Sequence, residues 1–413
     1  MSFVSVPWFF ATWLTLELPL HHLVLSIALC ALAVLSKAPF WVIGVAMLAG
    51  GMHLGHFVIA DRTADILVNS LDGFLSRERR EALSSALKGL RRTFHVWPVA
   101  MMTPKAVRVA RDIAYGPFKK RNFLDVYSAK ENAGDAPHPV LLQIHGGGWT
   151  VGHKRQQGRP LMHALASRGW VCVAINYRLS PWAKFPDHIV DVKRAIAWVK
   201  ANIHRFGGDP ARIVITGGSA GAHLSALAAL SGNEPIFQPG FEEEDTSVAA
   251  CVPFYGVYDF LDRHNDRQDL SLRMFLRTVM GSSRESSRDA WDRASPLSWI
   301  HPNAPPFFVI HGRDDCLAWI EEGRRFVEEL RKVSKNPVLF AELPNAQHAF
   351  DVVHSARTDL TVEAVSAFVN EVADAAMPQA PAKMKERRRV LRPSAERPAP
   401  PLLRKDNSHN KQG

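Results

Sequence analysis

The sequence predicts an α/β protein, a doubly wound and mostly parallel sheet covered by helices on both faces. Two observations carry this. Short runs of consecutive apolar residues recur at VLLQI (140–144), VCVAI (171–175), IVIT (213–216), VAACVPF (248–254), FFVI (307–310) and VLFAEL (338–343). Strands apolar on both sides are covered on both sides, as strands of parallel sheets are. Between these runs lie helical patterns, such as Ile189, Val192, Ile196, Val199 and Ile203, which step by three and four residues.

Taken in chain order, residues 1–60 read as an apolar, membrane-anchoring helical hairpin. Ala38 to Ala60 contains no Asp, Glu, Lys or Arg. As a helix it is about 33 Å long, enough for a hydrocarbon core of about 30 Å. Leu18 to Ser36 is a second apolar run, interrupted by Pro19, His21 and His22, and Lys37 with Pro39 separates the two. Trp8, Trp13 and Trp41 suit interfacial anchors. No Lys or Arg precedes Lys37, which disfavours a secretory signal peptide. Arg62, Arg77, Arg79 and Arg80 follow the second run while only Lys37 lies in the turn, so the positive-inside bias leans the rest of the chain to the cytoplasm.

Residues 61–104 read as a helical connector, with Ile66, Leu67, Phe74, Leu83, Leu87 and Leu90 spaced for one face. Residues 105–376 are the α/β domain. Residues 377–413, rich in Pro and Arg, read as a disordered basic tail, either solvated or drawn to anionic lipid. The tail holds +7 of the net +10, residues 1–60 sum to zero, and the remaining +3 is spread over the rest. The basic character therefore belongs mainly to the tail, and nucleic acid is not an expected partner. With 413 residues, 47% of them hydrophobic, the chain builds a core without disulfides and is not disordered throughout. Its four cysteines include no C-x-x-C pair, so neither a zinc site nor a disulfide framework is expected.

The chemistry is carried by Ile213 to Leu230, which reads strand, tight turn, then a helix of small residues. Gly217-Gly218-Ser219-Ala220-Gly221 forms a G-x-S-x-G turn in the setting that gives the motif meaning. Small neighbours let strand and helix approach, and Ser219 meets the positive end of the helix. Upstream, the strand ending at Ile144 runs into His145-Gly146-Gly147-Gly148-Trp149. Acyl transfer needs N–H donors aimed at a developing oxyanion, and Gly146, Gly147 and Ala220 are the candidates. A phosphate loop is the rival for glycines after a strand, but GxxxxGK[ST] and GxGxxG are absent here. An acid and then a histidine should follow in chain order. Asp315 and His348 lie just after the last two strands, at the edge where open α/β sheets place their sites. Asp314 competes for the acid and His354 for the base.

Together HGGGW, NYRLSP (176–181), FGGDP (206–210), GGSAGAH (217–223), HGxxD and QHAF resemble the hormone-sensitive-lipase-like carboxylesterases of the α/β-hydrolase fold. The layout is similar to the lipase/esterase group of mycobacteria and related actinobacteria. The resemblance covers about 105–376 and implies a Ser219–His348–Asp315 triad with Gly146 and Gly147 in the oxyanion hole. Many members carry Asp before the serine where Gly218 stands here. The GGSAGAH variant also resembles arylformamidases and isoprenylcysteine methylesterases. The segment after Asp315, with Cys316, Ala318 and Trp319, departs from the family's usual one.

The leading expectation is a serine carboxylesterase or lipase acting on a small-molecule or lipid ester, without cofactor or metal. Short to medium acyl chains are expected. The alternative on the same fold is an arylformamidase-like or other amide or methylester hydrolase. A catalytically silent ligand-binding protein or membrane scaffold is the reading of another class. His53 and His56 are too few for a metal site and suit packing or an interface. Cys316 reads as a buried thiol. Residues 261–295, with Met274, Phe275 and Trp291, read as an insertion over the site.

Overall fold

The structure is a computed structural model that describes residues 5–90, 103–131, 137–264 and 270–376. The basic tail and the end of the connector lie outside the described residues. At the N-terminus are α1 (Ser5–Glu17), α2 (Pro19–Leu35) and α3 (Phe40–Asp61), followed by α4 (Thr63–Ser70) and α5 (Arg77–Leu90). The strands are β1 (Val107–Ala114), β2 (Phe123–Ala129), β3 (His138–Ile144), β4 (Val171–Ile175), β5 (Gly208–Gly218), β6 (Ala250–Phe254), β7 (Phe307–Gly312) and β8 (Val338–Leu343). Between and after them run α6 (Arg159–Ser167), α7 (Asp187–Asn202), α8 (Ala220–Leu230), α9 (Leu270–Met280), α10 (Arg288–Arg293), α11 (Ile320–Val333) and α12 (Ala356–Ala375).

The eight strands form one sheet in the order β1-β2-β4-β3-β5-β6-β7-β8. From β4 to β8 all neighbours are parallel, whereas β2 pairs antiparallel with both β1 and β4. The six expected strands form the parallel part. The first two are additional, and their sequences, VRVARDIA and FLDVYSA, mix polar and apolar residues rather than running apolar.

Side-chain alternation splits the core into two clusters, one on each face of the sheet. Val140, Leu142 and Ile144 pack with Ile189 of α7, Leu224 of α8 and Phe326 of α11. Leu141 packs on the opposite side with Leu165 of α6 and Phe368 of α12. The segment expected as a connector joins this second cluster. Leu67 of α4 and Leu83 and Leu87 of α5 are buried in it, Phe74 stacks on Phe368, and Arg79 pairs with Glu371 at 3.0 Å. Residues 63–90 are therefore a layer of the α/β body.

α2 and α3 lie side by side, with His22 against His53 and Gly50 facing Leu23 and Ser26. Phe40–Ser70 is long and apolar enough to cross a membrane, and its most apolar stretch is unburied. Trp8-to-Glu17 with Pro19-to-Leu35 would pass as one span only across a 90° bend. Trp8 and Trp41 are exposed, but Trp13 turns inward, away from the interfacial role expected of it, and donates its indole N–H to the Ala349 carbonyl at 3.0 Å.

Candidate active site

Ser219 directly follows β5 and caps α8 with φ 58° and ψ −120°, in left-handed backbone that a serine rarely adopts. Its own N–H donates to Phe254 O at 3.0 Å, and its carbonyl accepts from His223 N–H, the first bond of α8. The Ala220 N–H opens α8, where backbone donors have no partner within the helix. Glycine is required around this turn. A Cβ on Gly221 would sit 2.2 Å from Ile144 O, and one on Gly217 would sit 2.6 Å from the same oxygen.

The glycine loop after β3 lies against the serine, since a Cβ on Gly146 would come 3.2 Å from Ser219 Cβ. Gly147 has φ +108°, and a Cβ there would meet Val151 O at 2.2 Å. Gly146 differs from the expected oxyanion donor in one respect. Its N–H donates to Gln157 Oε1 at 2.6 Å, so that donor is already engaged.

The surroundings of this loop explain the other motifs. The His145 ring stacks on Tyr177 at 4.4 Å, and the Tyr177 hydroxyl donates to His145 O. Burial pushes the His145 imidazole down to about 4, so it is neutral, and its Nδ1 lies 2.7 Å from Gly146 O. Ser180 N–H donates to Trp149 O, and Asn176 Oδ1 accepts from Lys154 N–H. Arg178 is clamped by the buried Asp191 at 2.9 Å. NYRLSP is thus the brace of HGGGW. Within the expected 261–295 insertion, Phe275 of α9 lies over the glycine loop, 2.7 Å from the Cβ position of Gly148.

Asp315 and His348 come together, with Asp315 Oδ2 2.7 Å from His348 Nδ1. Asp315 Oδ1 accepts from Leu317 N–H and Ala318 N–H, each at 2.8 Å. Burial would raise this carboxyl, but His348 and His311 outweigh it and hold it well below the usual carboxylate range. Asp314 and His354 are not part of this pair. Asp314 N–H donates to Ala346 O, and His354 binds Asp359 at 2.8 Å. His354 stands just before α12. Cys316 is half-buried rather than buried as expected; that partial burial, then the charge of Asp315, pushes its thiol up to about 11, which suits a packed thiol rather than a nucleophile.

Two residues that sequence reasoning left without a role complete the arrangement. The Tyr255 ring lies 4.7 Å from the His348 ring and fills the space above Gly218. Gln347 Oε1 accepts from both Cys316 N–H (2.8 Å) and His348 N–H (3.0 Å), joining the acid loop to the histidine loop. Gln347 stood within QHAF but had no spacing rule to mark it. Among the described residues no group of His, Cys, Asp and Glu is placed to hold a metal ion. His53 packs between His22 and His56, and His56 meets Asn345.

A serine elbow on a parallel sheet, with an acid and a histidine following the last two strands, defines an α/β-hydrolase. The model of the BD-FAE family matches residues 124–330, and the chain belongs to that family. It is 47% identical over 346 residues to the probable carboxylic ester hydrolase LipM of Mycobacterium tuberculosis, covering 81% of this chain and 78% of that one. It is 37% identical to the esterase LipC of the same organism, covering 87% and 93% respectively. Among solved structures, esterase 2 of Thermogutta terrifontis phosphonylated by sarin superposes with a TM-score of 0.51 at 25% identity, covering 60% of this chain and 87% of that one.

Proposed function

We propose that this protein is a carboxylic ester hydrolase that works through Ser219, His348 and Asp315. In this reading Ser219 attacks the ester carbonyl and His348 takes its proton, then returns it to the leaving alcohol. Water activated by the same imidazole releases the acid from the acyl-enzyme. Asp315 fixes the tautomer and stabilises the imidazolium that forms. The N–H groups of Gly147 and Ala220 receive the oxyanion, while Gly146 holds the loop through Gln157.

The observation that carries this reading is Tyr255, which touches both halves of the site. Its ring packs on His348, and its hydroxyl lies 2.6 Å from the Cβ position of Gly218, the residue before Ser219. The strained serine and the Asp315–His348 pair therefore flank one side chain. The names of LipM and LipC and the phosphonylated relative support the same chemistry. Replacing Ser219 by Ala should abolish hydrolysis of p-nitrophenyl acyl esters with the fold intact, and a fluorophosphonate probe should label Ser219 alone. An acyl-chain series with N-formylkynurenine beside it separates esterase from formamidase.

The α2–α3 hairpin is the proposed membrane anchor, with the hydrolase on the cytoplasmic side. The row of exposed apolar side chains, among them Leu25, Leu29, Leu32, Val45 and Leu48, supports it. Retention of the full chain in a carbonate-washed membrane fraction tests it, and recovery in the soluble fraction would count against it.

A further inference from the structure

The loop that carries His348 is held from outside the α/β body. Asn345 and Ala349, at its two ends, both sit in left-handed backbone, with φ 50° and 57°. Asparagine adopts this conformation readily, but alanine does not, so neighbours must hold it at Ala349. The neighbours are N-terminal helices. Trp13 of α1 donates its indole N–H to Ala349 O at 3.0 Å. Thr12 Oγ1 accepts from Gln347 Nε2 at 3.2 Å, and the same hydroxyl donates to Trp8 O at 2.9 Å. His56 Nδ1 of α3 lies 3.3 Å from Asn345 Nδ2. The Phe9 and His348 rings lie edge-to-face, 6.3 Å between centroids.

α1 is itself fixed at its far end. Glu17 is buried with Arg357 and accepts from Ser355 Oγ at 3.0 Å. Arg357 also donates to Pro344 O, just before the loop. One helix thus touches alternate residues of the loop on both sides of the histidine. Gln347 transmits this to the acid loop, since its other end accepts from Cys316 and His348.

We infer that Thr12 and Trp13 of α1 are positioning residues for His348, and that the apolar N-terminus is an integral part of the catalytic unit as well as an anchor. The inference rests on the reading of His348 as the base. Without α1, Gln347 Nε2 and Ala349 O lose their partners and the loop loses the restraint on the left-handed Ala349. The imidazole then leaves the orientation that proton transfer requires.

The test uses full-length Thr12→Val and Trp13→Phe, with Thr12→Ser as the conservative rescue. Val24→Ala on the exposed side of α2 is the control. The readouts are kcat and KM on p-nitrophenyl butyrate, the rate of fluorophosphonate labelling at Ser219, and Tm. Thr12→Val and Trp13→Phe should each lower kcat and the labelling rate about 10-fold, with KM and Tm near wild type. Thr12→Ser should restore both rates. Wild-type kcat in both variants, or a loss that only follows the unfolded fraction, overturns the inference. Wild-type protein that hydrolyses no ester and takes no label at Ser219 would instead overturn the functional reading.

Discussion

Tyr255 occupies the volume that a side chain at Gly218 would need. A Cβ on Gly218 would lie 2.6 Å from the Tyr255 hydroxyl and 2.8 Å from its ring. The hydroxyl donates to the half-buried Asp351, and the ring lies against His348. The aspartate that many similar hydrolases carry before the serine has no room here. Gly218→Ala should cost about 1–3 kcal/mol through overpacking, and the same displacement should disturb the histidine. Gly218→Asp should be worse, because it adds a second carboxylate beside Asp351. Thermal unfolding and kcat measure both, and a Gly218→Asp variant with wild-type activity would sink this account of the departure.

Asp315 is predicted to matter through its acceptor count. Its two oxygens take His348 Nδ1–H and the Leu317 and Ala318 N–H groups. An amide offers one acceptor oxygen, so Asp315→Asn must either abandon the loop or present N–H to the histidine. The wrong tautomer should lower kcat by about 10³–10⁴-fold. The carboxyl is held well below its ordinary range, so its contribution persists until the pH falls far beneath that range. The kcat deficit should therefore appear at every pH above the ordinary carboxylate range. Asp314→Asn keeps the backbone bond to Ala346 O, and His354 binds Asp359, so Asp314→Asn and His354→Ala should stay within a few-fold of wild type in the same assay. A loss on Asp314→Asn equal to that on Asp315→Asn would reverse the assignment.

The glycine loop makes a separate prediction. Gly147 adopts φ +108° with Val151 O beside its Cβ position, so Gly147→Ala must shift the backbone that offers the proposed donor. Loss of one oxyanion donor costs about 2.7–4 kcal/mol of transition-state stabilisation. The effect should fall on kcat, with KM little changed. Gln157→Leu removes the acceptor that holds Gly146 and should lower kcat less. If Gly147→Ala raises only KM, the loop binds substrate without stabilising the oxyanion.

What was legible in the sequence follows from what local pattern can encode. The parallel strands announced themselves because burial on both faces leaves unbroken apolar runs, as in Val171–Ile175. β1 and β2 did not, since their polar residues interrupt the run that marks a strand. The proposed serine, acid and histidine could be picked out because each stands at a strand end in a short motif, and the structure pairs Asp315 with His348. Gln347, Tyr255 and Thr12 were not, because their roles depend on contacts between distant parts of the chain, from Gln347 with Cys316, 31 residues away, to Thr12 with Gln347, 335 away. Gly146 shows the remaining gap, as a motif names a backbone donor but not the Gln157 side chain that claims it.

Lys193 of α7 supplies a prediction outside the site. It is fully buried, donates to Gly232 O and lies 3.2 Å from Thr246 Oγ1. Burial pushes its ammonium down from 10.5 to about 7, against the opposing pull of Glu234 and Asp245. Between about 7 and 10.5 the unfolded chain binds a proton there that the folded chain has released. Unfolding therefore becomes harder as pH rises through that window, by about 1.4 kcal/mol per pH unit from this residue. Below the window both states are protonated and the burial cost is fully present; above it the cost is gone. Lys193→Met removes the titration, so the difference in unfolding free energy between wild type and variant should change with that slope. Urea titrations at several pH values measure it. Parallel stability profiles for the two proteins would mean that Lys193 keeps an ordinary pKa in the fold.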